Sequence, residues 1–171
     1  RPWDQGRAAM RYSDFGRKLV LALKHGDRPD LAATLTPWLV QAGRDLIQQD
    51  TIIAPVPLHW RRMLKRRYNQ SALLAQHLAL HVERPAILDL LVRPRSTKPL
   101  DGVSVPDRFD RLRGAIDFNK RKAHMVAGKS VLLIDDVMTS GATLAAATEA
   151  SYAAGARRVD VLVLARVCKD A

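Results

Sequence analysis

Apolar and polar positions divide the chain into short alternating elements. Val131, Leu132, Leu133 and Ile134 form a continuous apolar run too short for a helix, the pattern of a strand buried on both faces. T-I-I-A-P-V at 51–56 reads as a second buried strand, closed by Pro55 and Pro57. Val159 to Val167 predicts a third, Ala8 to Tyr12 an edge strand, and Ile87 to Val92 a short, broken one. Between them the period changes to that of a helix. From Asp14, Phe15, Leu19 and Leu23 recur at helical spacing until His25-Gly26 ends the segment. Leu31, Leu35, Trp38, Leu39 and Ala42 mark another helix, with Pro37 expected at a kink or in the first turn and Trp38 in the core. Leu73, Leu74, Leu78 and Val82 mark a third behind an Asn69 or Ser71 cap, and residues 142–154 a fourth that Gly155 stops. Arg93 to Pro106 has three prolines and little apolar pattern, so it reads as a loop, and Phe109 to Phe118 as a turn followed by a strand. Strands alternating with helices, without repeats, predict one α/β domain over 1–171 with a mainly parallel sheet.

Composition narrows the class. Hydrophobic residues make up 47% and charged residues 26%, so the chain is expected to be globular rather than disordered. A net charge of +11 favours polyanionic partners such as phosphorylated substrates or nucleic acid. Cys168 is the only cysteine, which excludes an intrachain disulfide and a cysteine-cluster metal site. No apolar run approaches the ~20 residues of a membrane span. With no recognisable signal peptide after Arg1, a cytoplasmic location is expected.

Candidate chemistry gathers in S-V-L-L-I-D-D-V-M-T-S-G-A-T at 130–143. Asp135 and Asp136 follow a buried strand, and in an open parallel sheet ligands sit beyond the carboxyl ends of the strands. Thr139, Ser140, Gly141, Ala142 and Thr143 then lead into a helix, where free N–H groups, the helix dipole and hydroxyls converge on a phosphate. The acids repel a phosphate but suit sugar hydroxyls, or a metal bound to the sugar. A P-loop is excluded because no two glycines have the G-x-x-x-x-G-K-[ST] spacing, and no G-x-G-x-x-G is present. After the 51–56 strand, five basic residues fall within Arg61 to Arg67, on the side of the sheet where the acids emerge. His77 and His81 lie four apart, as in some zinc sites, but lack a third ligand nearby in the sequence.

The 130–143 stretch resembles the phosphoribosyl-pyrophosphate (PRPP) signature of type I phosphoribosyltransferases. A-L-K-H-G (22–26), A-P-V-P-L-H-W-R-R-M-L-K-R-R-Y-N-Q (54–70), T-K-P-L-D-G-V-S (97–104) and A-G-A-R-R-V-D-V-L-V-L-A-R (154–166) complete a pattern similar to the competence protein F (GntX-like) family. The resemblance implies the type I phosphoribosyltransferase fold, a mainly parallel sheet flanked by helices, and a link to DNA uptake in natural transformation. It implies that Asp135 and Asp136 hold the ribose hydroxyls, and that Val137, Met138, Thr139, Ser140, Gly141, Ala142 and Thr143 form the 5′-phosphate loop. Pro57, Leu58, His59, Arg61 and Arg67 would form the pyrophosphate site, with Asn69 and Gln70 at the site or bracing it, and Lys98 in a flexible loop acting as a lid. Mg²⁺ would be held through the substrate rather than by protein ligands. The family's four-cysteine zinc segment is absent from these residues, and Leu100 and Arg111 replace its usual Gln and Asn. Two other readings compete with a phosphoribosyltransferase: a PRPP-sensing regulator, and a non-catalytic adaptor for single-stranded DNA or DNA-uptake proteins. The adaptor reading draws on the charge and on Trp60 and Tyr68 around the basic run.

Overall fold

A computed structural model describes residues 1–25, 28–58, 68–94 and 104–168. Four parallel strands form the central sheet: β1 (Gly6–Arg11), β2 (Thr51–Pro55), β5 (Ser130–Met138) and β6 (Arg158–Arg166), in the order β1-β6-β5-β2. A single parallel bridge from Ile53 to Ala86 extends the β2 edge. β3 (Leu91–Val92) and β4 (Asp117–Phe118) pair antiparallel in a separate small sheet. The edge strand and broken strand expected from the sequence are therefore present, while β6 lies inside the sheet, between β1 and β5.

Helices cover both faces, which is why the sheet strands read as unbroken apolar runs. α1 (Asp14–His25), α2 (Leu31–Gly43) and α3 (Gln70–His81) cover one face, where Leu23, Leu35, Leu39, Leu74 and Leu78 bury against Ile53, Leu132 and Ile134. On the other face lie α4 (Val105–Leu112), the short α5 (Ala123–Val126) and α6 (Ala142–Ala153). α6 is rich in alanine, a strong helix former with a small side chain, so it packs close to Val131, Leu133 and Val161.

Two expectations need correction and a third is narrowed. Residues 105–112 form a helix, not the end of a loop and a turn, because Ser104 caps it: Asp107 N–H donates to Ser104 Oγ at 3.3 Å and the Ser104 hydroxyl donates to Asp107 Oδ2 at 2.6 Å. Of the two places expected for Pro37, the first turn is excluded, since it stands inside α2. Trp38 is 42% exposed, on the outer side of α2, and not in the core. Among the described residues no helix is long and apolar enough to cross a membrane.

Candidate functional site

Connectivity singles out one crevice. From the carboxyl end of β5 the chain crosses through α6 to β6, and from that of β2 it leaves through α3 over the opposite face. Neighbouring strands whose connections diverge in this way open a ligand-sized gap at their carboxyl ends. Register deepens it. β2 pairs with β5 only as far as Pro55 opposite Ile134, whereas β5 continues along β6 to Met138 opposite Arg166. Asp135 to Met138 therefore run on past the end of β2.

This placement changes part of the sequence reading. Asp135 and Asp136 lie within β5 rather than ending it, and Val137 and Met138 are strand residues opposite Ala165 and Arg166, not part of a loop. The long partner strand β6 carries the pairing through them. The loop proper is Thr139–Gly141, and Ala142 and Thr143 open α6. Gly141 is the N-cap with φ +81°, a left-handed conformation costly for any side chain. A Cβ on Gly141 would also meet Trp3 at 3.0 Å. The amide of Ala142 donates to Ser140 Oγ at 3.4 Å, and Gly141 O accepts from Ala145 N at 2.9 Å to start the helix ladder. The first amides of α6 thus stand at the helix's positive end, with Thr139 and Ser140 in the loop before it and Thr143 in its first turn.

The two acids differ in their partners. Asp135 Oδ1 accepts from the Ser71 hydroxyl and from the Asp136 amide, each at 2.9 Å. Asp136, 8% exposed, forms an ion pair with Lys24, Oδ2 lying 3.0 Å from Nζ. Burial, with the Asp136 carboxylate adding to it, pushes the Asp135 carboxyl up to about 7, against the pull of the Ser71 hydroxyl, the Asp136 amide and the Lys24 charge.

Residues 56–58, just after β2, stay beside β5. Val56 N donates to Ile134 O at 2.9 Å, Pro57 is buried and Leu58 half-buried. Asn69 caps α3 by accepting from Ser71 N at 3.1 Å, and its amide donates to Val56 O at 3.2 Å. Of Asn69 and Ser71, the two caps expected from the sequence, Asn69 is the one used, and it also holds the Val56 carbonyl, while the Ser71 hydroxyl goes to Asp135. His59, Trp60, Arg61, Arg67 and Lys98 lie outside the described residues, as do residues 95–103 of the expected lid. The Tyr68 hydroxyl donates to Leu23 O at 2.7 Å, a tie to α1. Lys24 and Ser71 went unassigned in the sequence because their partners lie far along the chain. Lys24 stood within A-L-K-H-G and Ser71 was read only as a cap alternative.

The implied Mg²⁺ can be tested against the donors. No group of three or more His, Cys, Asp or Glu side chains stands ready for a metal among the described residues, His77 and His81 included. The two carboxylates supply hard oxygen donors suited to Mg²⁺, but one is committed to Lys24. That donor set fits an ion completed by substrate oxygens and water.

Comparison with known proteins gives the family and the fold. Residues 68–170 match the phosphoribosyl transferase domain family. Competence protein F of Haemophilus influenzae is 33% identical over 96% of this chain and 73% of its own length. DNA utilization protein YhgH of Salmonella typhimurium is 32% identical over the same shares. The chain belongs to the competence protein F family of phosphoribosyl transferase domain proteins. Among solved structures, the glutamine PRPP amidotransferase from B. subtilis complexed with ADP and GMP superposes with TM-score 0.55 at 19% identity, over 84% of this chain and 30% of that one. At that identity the likeness concerns the fold.

Proposed function

We propose that this chain binds PRPP as its Mg²⁺ complex and is a phosphoribosyltransferase acting in a cytoplasmic competence or DNA-utilization process. The observation that carries the reading is the acid pair on the free end of β5, followed within one short loop by the amino terminus of α6. A pentose phosphate needs that combination, acceptors for vicinal hydroxyls and amides for a phosphate, on adjacent parts of one crevice.

In this reading Asp135 and Asp136 hold the ribose hydroxyls and stabilise positive charge developing on the sugar as pyrophosphate leaves C1. The amides around Gly141 and the hydroxyls of Thr139, Ser140 and Thr143 hold the 5′-phosphate, and so fix C1 relative to the acceptor. The segment beginning at Pro57 and Leu58, with His59, Arg61 and Arg67, receives pyrophosphate, and Lys98 helps neutralise it. Mg²⁺, when bound with the substrate, would supply further charge neutralisation on the pyrophosphate and would be held by substrate oxygens and water, with Asp135 and Asp136 left to the ribose hydroxyls.

Calorimetric titration with Mg-PRPP tests the site, and pyrophosphate release over a panel of nucleobases separates a transferase from a PRPP sensor. The adaptor reading draws support from the net charge of +11 and from relatives named for DNA utilization. It requires salt-dependent oligonucleotide binding that survives near physiological salt.

A further inference from the structure

Lys24 sits in the last turn of α1, more than a hundred residues before the acids, yet it meets Asp136 in a largely enclosed pair, the side chains 19% and 12% exposed. Its position is built. Val20 and Leu23 of the same helix are fully buried against the sheet. The Tyr68 hydroxyl holds the Leu23 carbonyl at 2.7 Å and so ties the end of α1 to the chain just before α3. Ser71, on the first turn of α3, donates to Asp135 at 2.9 Å. One carboxylate is thus given an ammonium and its neighbour a neutral hydroxyl.

That division answers a difficulty inherent in the site. Adjacent carboxylates repel one another, and they repel a sugar that carries several phosphates. A cation fixed on one of them cancels that charge while using few of the roughly four lone-pair sites of a carboxylate. The remaining oxygens stay available as acceptors. We infer that Lys24 is a positioning residue of the ribose site: it fixes the Asp136 carboxylate and offsets its charge, so that the acid pair accepts the vicinal hydroxyls of a phosphorylated pentose. This rests on the PRPP reading above. Among the described residues, the charged groups acting on Asp135 are Asp136 on its own strand and Lys24 on α1; α3 presents the neutral Ser71, and Val163 stands opposite in β6.

Lys24→Met and Lys24→Arg, made in the whole chain, provide the test with two readouts. With Mg-PRPP at pH 7, calorimetry should show at least a tenfold loss of affinity in K24M and recovery of most of it in K24R. In unliganded protein, carbon-13 NMR of the carboxyls should find the Asp135 titration moved to higher pH in K24M and near the wild-type position in K24R. The sign follows from the loss of a cation that favours the ionised form. K24M binding as tightly as wild type, or an Asp135 titration that does not move, overturns the assignment. Should wild-type protein fail to bind Mg-PRPP, the PRPP reading falls and takes the ribose role with it. The NMR titration then still decides whether Lys24 governs the charge of the pair.

Discussion

The sheet carries acidic groups at both ends, and they are treated in opposite ways. At the amino end, buried Asp160 of β6 accepts from Arg158 Nε at 2.7 Å, from Arg158 Nη2 at 3.1 Å and from the Gln5 amide at 3.0 Å. Nearby Asp4 accepts from the Tyr152 hydroxyl at 2.6 Å and the Val159 amide at 2.9 Å, and those bonds hold its carboxyl below the usual range. These contacts dock the N-terminal segment onto β6 and α6. At the carboxyl end, Asp135 receives one hydroxyl and one amide while a second carboxylate stands beside it, and its carboxyl is pushed up to about 7. Among the described residues the arginine at the amino end is bound to the buried acid itself, whereas at the carboxyl end the cation, Lys24, stands on Asp136 and leaves Asp135 with neutral donors alone. Enclosed polar groups lacking strong partners cost stability, and such costs concentrate at functional sites.

The sharpest way to break this contrast is Asp160→Ala. It strips Arg158 and the Gln5 amide of their acceptor and should cost about 3 kcal/mol in denaturant unfolding, with Mg-PRPP affinity unchanged. A variant of full stability that no longer binds would reverse the assignment of the two ends.

Asp135→Asn should act in the other direction on stability. In the unfolded chain Asp135 titrates near 3.8, and in the folded protein near 7. Below 3.8 it is protonated in both states and contributes no penalty. Between about 4 and 7 the unfolded chain ionises first, so stability falls across that window and stays reduced above it. The amide variant removes this penalty and should be roughly 1–3 kcal/mol more stable than wild type at pH 8, and equal to it near pH 3.5. Urea unfolding at the two pH values checks the difference.

Smaller effects sharpen the local picture. Gly141→Val places a side chain on a left-handed backbone and against Trp3, so it should lose about 1–2 kcal/mol in thermal unfolding. Asn69→Ala removes both the α3 cap and the brace on Val56, at about 1 kcal/mol.

Much of the fold was legible because burial on both faces leaves a local signature. The runs at 51–56 and 131–134 became β2 and the core of β5, and the alanine-rich segment before Gly155 became α6. What escaped depended on partners distant in sequence. Nothing local shows that β5 continues through two aspartates to Met138, since a long neighbouring strand supplies the pairing. Ser71 and Lys24 reach the acids only after α3 and α1 are laid on the same face of the sheet. The α4 helix was different. Its signal, Ser104 three residues before Asp107 with Pro106 in the first turn, is present in the sequence, but the surrounding prolines and cations outweighed it.

The central claim is that the end of β5 and the start of α6 together hold a phosphorylated pentose. It is met most directly by titrating Mg-PRPP into wild-type protein and into the Asp135→Asn, Asp136→Asn double variant, with circular dichroism confirming the fold of both. Saturable binding to wild type and none to the folded double variant is the expected result. Equal affinity in the two would contradict it.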